Sequence, residues 1–261
     1  MLLAIDVGNT QTVIGLFEDS AGSGEPDDHW RIATNPERTA DEHVLLLNQF
    51  LAQRHVDLQE AITGLAVASV VPRVTATLRR MAHRYLRFDP VVIEPGTRTG
   101  MPILYDNPKE VGADRIADAV AAWDLYGGPT IVVDFGTAIT VEVISEAGEY
   151  LGGAIFPGIE VALDGLYSRA AGLRRVELGE PPPSVIGKNT ANSIRAGAVY
   201  GYAAMVDGLC RRVEDEVGPC TVVSTGGLGS LIAPLSDRIE HHEPWLMLHG
   251  LRLVYQRNQA P

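Results

Sequence analysis

The sequence predicts an α/β protein made of two similar halves. Apolar runs of strand length alternate with amphipathic stretches of helical period, the pattern of a layered sheet-and-helix architecture. The opening LLAIDVGNTQTVIGLF returns as TIVVDFGTAITVEVIS, with Asp134 lying 128 positions after Asp6. Between the copies lies a well-punctuated helix, NPKEVGADRIADAVAAWDLYGG, so the halves are placed at 1–118 and 119–261.

Each element has a local cause. Leu2–Ile5 and Val13–Phe17 are strand-like runs, and Gly8-Asn9 between them supplies a hairpin turn. The Gly-, Ser-, Pro- and Asp-rich Ser20–Asp28 reads as a hairpin excursion. In TADEHVLLLNQFLAQ, Thr39 and Glu42 form a capping box, and Val44, Leu47 and Leu51 share one face. GLAVASVVP is a buried strand ended by Pro72, Arg73–Arg87 is helical, and PVVIEPG is a short strand. In the boundary helix, Asn107 caps, Pro108 takes the first position, Glu110 completes the box and Gly127 stops it. Its apolar stripe is Ile116, Ala119, Val120 and Trp123. Asp114 falls opposite, with Glu110 and Asp118 beside it on a face expected to be solvated or to line a cleft.

Composition narrows the function. The 261 residues, 46% of them hydrophobic, can bury a sizeable core. A formal charge of -12 disfavours a nucleic-acid partner bound through a broad basic face. Only Cys210 and Cys220 are cysteines, which points to a reducing compartment and to neither disulfide framework nor zinc cluster. No apolar stretch approaches the roughly 20 residues of a membrane span. A soluble cytoplasmic protein is expected.

The repeated turn carries the chemistry. Besides Asp6 and Asp134, aligning the copies matches Gly8 with Gly136, Thr12 with Thr140 and Val13 with Val141. Small residues let backbone N–H groups approach a ligand closely. Thr10, Thr12 and Thr137 add hydroxyls, and Asp6 and Asp134 can hold a cation directly or through water. Two such turns facing one another would grip a triphosphate and its metal. A single copy would more simply be a hairpin whose Asp satisfies turn amides; two copies at half-chain spacing favour the clamp. A third glycine turn, Thr225–Gly229, can let an adenine or ribose lie on backbone, or merely join strand to helix.

Competing motifs fail. GKNT at Gly187–Thr190 lacks the earlier glycine and the Ser/Thr of a P-loop, no G-x-G-x-x-G follows a strand, and no G-x-S-x-G occurs. His241 and His242 are adjacent, so on a strand they face opposite ways, as surface residues and not as paired metal ligands. In GADR, Gly112 inside a helix costs about 1 kcal/mol against alanine, which suggests a need for close approach. Asp114 can then take a proton from a substrate hydroxyl, and Arg115 can bind an anionic or polar group. Residue chemistry alone thus reaches phosphoryl transfer to a small hydroxylated molecule.

DVGNT, YDNPKEVGADR, DFGTAIT, GGAIFPGI, IGKNTANSIRAGAVYG, TGGLG and LHGLRLVYQRN resemble, in order and spacing, the type III pantothenate kinase family from residue 2 to about residue 258. The resemblance implies the duplicated ribonuclease-H-like fold of acetate and sugar kinases, actin and heat-shock chaperone ATPases, with a central cleft. It implies ATP-dependent phosphorylation of pantothenate to 4'-phosphopantothenate, the first step of coenzyme A biosynthesis. By the family's pattern Asp6, Val7, Gly8, Asn9, Thr10, Gln11, Thr12 and Val13 hold the ATP phosphates, and Thr137 completes that site. Asp134 binds a monovalent cation, potassium or ammonium, beside the magnesium that accompanies ATP. Asp114 is the general base; Tyr105, Gly112, Ala113, Asp114, Arg115 and Thr190 contact pantothenate, Thr190 from the partner subunit of a homodimer. Gln11 stands where Asn is common, Asp118 also where Asn is common, and Trp245 and His249 depart from the usual closing segment. Two rival readings share the fold: a non-catalytic transcriptional accessory factor, and a kinase of sugar or acetate. Retention of Asp6, Asp114, Arg115 and Asp134 favours catalysis.

Overall fold

The computed structural model describes residues 1–18 and 24–259. Their contacts divide the chain into two units: Met1–Ala121 with the chain from Trp245 onward, and Ala122–Pro244. No helix among the described residues is long and apolar enough to cross a membrane.

In the first unit β1 (Leu2–Val7) and β2 (Gln11–Phe17) form the expected hairpin, and β3 (Asp28–Ala33) extends it antiparallel. Residues 20–23 of the Ser20–Asp28 excursion lie outside the described residues. Helix α1 (Ala40–Ala52) starts at the predicted box: the Thr39 hydroxyl accepts from Glu42 N, and Glu42 Oε2 accepts from Thr39 N at 2.7 Å. These bonds hold the exposed Glu42 carboxyl below its ordinary range. After the short α2 (Leu58–Ala61), β4 (Gly64–Ser69) runs parallel to β1. Pro72 does not end this strand. It opens α3 (Pro72–Met81), where its missing N–H costs nothing. A wider helical turn, Ala82–Leu86, continues α3, and β5 (Val91–Val92) completes the sheet order β3-β2-β1-β4-β5.

Alternation along β1 sends Leu3, Ile5 and Val7 to one face, where they pack with Val44, Leu47 and Leu51 of α1 and Val74, Leu78 and Met81 of α3. Each such fully buried leucine contributes about 1.5–3 kcal/mol. Against the same sheet packs α8 (Leu246–Gln259), the last helix. Glycines let it approach. A Cβ at Gly250 would come 2.0 Å from the Ala117 carbonyl oxygen, and one at Gly64 would meet the Tyr255 ring. The unusual Trp245 and His249 have a packing role. Trp245 lies against His29 with ring centroids 4.0 Å apart, and a Cβ at Gly24 would come 3.1 Å from His249 Nδ1.

The second unit repeats the plan. The hairpin of β6 (Thr130–Phe135) and β7 (Ala138–Ile144) is extended by β8 (Tyr150–Pro157). Helices α5 (Ile159–Arg169) and α6 (Thr190–Val217) follow, then β9 (Thr221–Thr225) parallel to β6, the short α7 (Gly229–Ile232) and β10 (His241–His242). The order β10-β9-β6-β7-β8 is that of the first sheet read from the other edge. Ile131, Val133 and Phe135 pack with Val199, Ala203, Val206 and Cys210 of α6. Burial pushes the Cys210 thiol up to about 12, so it is an inert core residue.

The duplication is real, but its register corrects the sequence alignment. Asp6 pairs with Val13, whereas Asp134 pairs with Thr140. The second turn is one residue shorter, so Thr12 is equivalent to Ile139 and Val13 to Thr140. A one-residue slip changes the face of every side chain, and the burial pattern agrees: Thr12 and Ile139 are both buried.

The boundary helix is also corrected. Pro108–Glu110 is a separate 3-10 turn closed by Asn107, whose Oδ1 accepts from Lys109 N and whose Nδ2 donates to Glu110 Oε1. Val111 is extended, and α4 (Ala113–Tyr126) starts afresh. Gly112 is therefore not inside a helix; its carbonyl accepts from Ile116 N at the helix start. Nor is Asp118 solvated. It is 2% exposed, because α4 is buried on nearly every side from Ala117 to Ala122.

Candidate functional site

In the first unit the hairpin turn is braced from outside. Gly8 N donates to Gln11 O at 3.0 Å, closing the turn. Thr34, just past β3, donates its hydroxyl proton to Gly8 O at 2.7 Å and its N–H to Thr10 O at 3.0 Å. Its single proton being committed, the 2.8 Å contact with Thr12 has the Thr12 hydroxyl as donor. Thr12, 3% exposed, thus supports the turn from beneath. Gln11 Oε1 accepts from Arg31 Nη1 at 2.9 Å. Asn9 and Thr10 are exposed, Val7 and Thr12 are buried, and Asp6, Gly8 and Val13 are intermediate. We expect Thr34→Val to lower stability by about 1–3 kcal/mol, since it orphans the Gly8 carbonyl. Thermal melts check this.

The same unit holds Tyr105, Gly112, Ala113, Asp114 and Arg115. Asp114 Oδ1 accepts from Arg115 N at 2.9 Å in the first turn of α4. A Cβ at Gly112 would lie 2.2 Å from that oxygen, so glycine is what leaves room for this carboxylate. The close approach expected at Gly112 is therefore found, and its partner is Asp114. Arg115 is 8% exposed. A buried guanidinium is a fixed charge, suited to an anionic or polar group.

In the second unit three glycines surround the turn. A Cβ at Gly226, where φ is +86°, would lie 2.2 Å from Asp134 Oδ1, and one at Gly136 would lie 3.4 Å from Oδ2. One at Gly158 would lie 2.4 Å from the carbonyl oxygens of both Gly136 and Thr137. Gly158 N also donates to Thr137 O at 3.0 Å. Asp134 thus sits in a cradle that side chains would fill. A carboxylate is a ligand suited to a hard cation, and no cluster of three or more His, Cys, Asp or Glu with metal-binding geometry exists among the described residues.

Thr190 is the first residue of α6. Asn189 caps that helix by accepting from Asn192 N at 2.8 Å, so GKNT is a helix start. Lys188, Asn189 and Thr190 line a groove of about 710 Å³ with Leu163, Leu166 and Tyr202. His241 and His242 do face apart: His241 stacks on Tyr126, and His242 Nδ1 lies 3.0 Å from Ser224 Oγ.

Two turns, each an aspartate followed by glycine in a hairpin, are thus present once per unit, and the comparisons agree with them. The sequence profile of type III pantothenate kinase matches residues 2–212. The chain belongs to the type III pantothenate kinase family. Relatives bearing that name include those of Frankia alni, 54% identical with 99% of this chain and 100% of the relative covered, and Myxococcus xanthus, 50% identical with 100% of both covered. That of Moorella thermoacetica is 53% identical over 99% of this chain and 100% of its own. Among solved structures, a Baf family transcriptional activator from Campylobacter jejuni superposes with a TM-score of 0.62 at 20% identity, with 98% of both chains covered. A polyphosphate/ATP-glucomannokinase from an Arthrobacter species gives 0.54 at 16%, again with 98% of both covered. At such identities these two show the fold alone, and it is the duplicated sugar-kinase fold expected from the sequence.

Several residues of the site were not foreseen. Thr34 lies beyond a strand that was not predicted, and no motif marks it. Gly158 is visible as part of GGAIFPGI but not as a support for Thr137. Glu142, 0% exposed, accepts from Tyr150 OH at 2.6 Å on the same face of β7 as Thr140. A buried carboxylate inside a strand is the signal that composition blurs.

Proposed function

We propose that this chain transfers the γ-phosphoryl group of ATP to the hydroxyl of pantothenate, giving 4'-phosphopantothenate at the entry to coenzyme A biosynthesis. The observation that carries this reading is the aspartate-glycine turn built once into each unit and braced in each by different residues. In the first, the turn at Gly8, Asn9, Thr10 and Gln11 receives the phosphates, Thr34 and Thr12 keep its shape, and Asp6 stands at its base. In the second, Thr137 completes the phosphate contacts. Phosphoryl transfer is mostly positioning and charge neutralisation, and small donors on rigid hairpins supply the first.

The residues present fit the cations the reading requires. Asp134, in its glycine cradle, would hold a monovalent cation, potassium or ammonium, and magnesium would arrive with the triphosphate. Together they would offset phosphate charge. Asp114 would accept the proton of the pantothenate hydroxyl, fixed in orientation by Arg115 N and by the space at Gly112. Arg115 would bind the pantothenate carboxylate, with Tyr105 and Ala113 beside it.

A homodimer belongs to the same reading, with Thr190 of the partner subunit reaching pantothenate. On α6, Gly197, Gly201 and Ala204 lie on the exposed side, and nothing stands within 4 Å of a Cβ at either glycine. Exposed Ile155, Val161, Leu166 and Met205 supply apolar area in the same unit. Small residues on an open helix face allow another backbone to come close. The site of action is placed in the cytoplasm.

A coupled assay with pantothenate, ATP and magnesium, with and without potassium or ammonium, tests the proposal. Turnover that requires the monovalent cation is the expected result. A folded protein without turnover under either cation would overturn it and leave the non-catalytic reading. Turnover with a sugar or acetate in place of pantothenate would select the other rival.

A further inference from the structure

A further groove, this one charged, lies in the first unit and is lined by none of the residues assigned to the site above. Its volume is about 550 Å³, and its lining includes Arg38, Arg73, Arg80 and Arg84 with only Glu37 and Asp41 as acids. In a chain of net charge -12, a cavity lined by four guanidinium groups and two carboxylates is an electrostatic exception. Its origin is helical spacing. Arg73, Thr77, Arg80 and Arg84 recur at intervals of three and four, so they form one stripe along α3 and the turn that continues it. That stripe meets the start of α1 at Thr39–Asp41.

The two acids are already engaged. Glu37 binds Arg73 through both carboxylate oxygens, the second at 2.8 Å, and Asp41 accepts from Arg84 at 3.0 Å and from Tyr85 OH at 2.6 Å. Arg38 and Arg80 have only neutral acceptors: Ala33 O at 3.5 Å for Arg38, and Thr77 Oγ1 at 2.9 Å for Arg80. Among the described residues neither has a carboxylate within ion-pair distance. A guanidinium offers five donors, so most donors of both remain available to a ligand. Arg38's charge is felt one turn into α1, where burial, with Arg38 adding to it, pushes His43 down to about 4.

We propose that this groove is a second anion site, distinct from the nucleotide site, that takes a diphosphate group between Arg38 and Arg80. Diphosphate suits it because two guanidinium forks, one from the loop before α1 and one from α3, present donors to a ligand with several charged oxygens. The site is joined to the phosphate turn by a short stretch of chain. Arg38 donates to Ala33 O, and Thr34, the next residue, is the brace of Gly8 and Thr10. Asn35 O accepts from Arg38 N at 3.1 Å, which stiffens the connection. An anion that draws Arg38 toward Arg80 therefore pulls on the support of the turn.

The test is calorimetric titration of inorganic pyrophosphate into the full-length protein already saturated with a non-hydrolysable ATP analogue and magnesium. Saturation is verified by its own isotherm, so a failure of the nucleotide reading shows separately. We expect one further binding event, weakened about tenfold or more in Arg80→Glu and in Arg38→Gln. Arg80 is exposed and Arg38 half-buried, and circular dichroism confirms that the variants are folded. Absence of that event in the saturated wild type, or wild-type affinity in both variants, would overturn the proposal. A parallel titration with methyl diphosphate separates the sources: affinity like that of pyrophosphate supports recognition of the shared group, and much weaker affinity supports the free anion.

Discussion

Asp114→Asn is expected to lower kcat by about 10²–10⁴-fold, the usual contribution of a positioned general base, while leaving the KM for pantothenate within a few-fold of wild type. The structure makes this a clean substitution. Asn has the same shape as Asp, and its Oδ1 can still accept from Arg115 N, as Asp114 does at 2.9 Å. The space at Gly112 is unaltered, so the first turn of α4 has no reason to move. What disappears is the capacity to take a proton. Rapid-quench and steady-state measurements with pantothenate as the varied substrate check the prediction. A variant that keeps more than a tenth of wild-type kcat would remove Asp114 from the role of base and leave it as an orienting contact. A variant whose KM rises in proportion to the lost kcat/KM would make its role binding.

That prediction rests on a residue the sequence could nominate but not place. GADR was legible as something needing close approach, because a glycine beside an Asp and an Arg has a cost that wants a reason. The reason given, a glycine inside a helix, was mistaken. Periodicity runs on through NPKEVGADRIADAV without a visible break, and only the extended Val111 separates the 3-10 turn from α4. The hairpins were legible for a firmer reason. A strand period of two with a glycine turn is a local pattern, and it recurs at half-chain spacing. Its exact register was not, since a turn shorter by one residue leaves the sequence match of Thr12 with Thr140 intact while inverting the faces. Thr34 and α8 escaped because their partners are distant in sequence. Tyr255 under Gly64, for instance, depends on a contact across most of the chain.

Gly226→Ala should be nearly as damaging as Asp114→Asn, through a different route. Gly226 follows β9 with φ at +86°, a conformation that costs a non-glycine residue about 1–2 kcal/mol. An alanine there also meets Asp134 Oδ1 at 2.2 Å and Phe135 N at 2.6 Å, and the second is backbone that cannot swing aside. The carboxylate of Asp134 must move, and with it the proposed cation position. Gly96→Ala is the control. Its φ of +104° imposes comparable strain, yet no atom lies within 4 Å of the added Cβ. Both variants should therefore lose stability by a similar backbone term, measured by thermal or urea unfolding. Gly226→Ala alone should lose activity, by about 10²-fold if the cation supplies the several kcal/mol typical of charge stabilisation in transfer reactions. Its response to potassium should flatten, with saturation moved to higher concentration or abolished. Equal activity loss in the two variants would mean that strain is the whole effect. Full potassium response in Gly226→Ala would mean that the cation binds elsewhere than at Asp134.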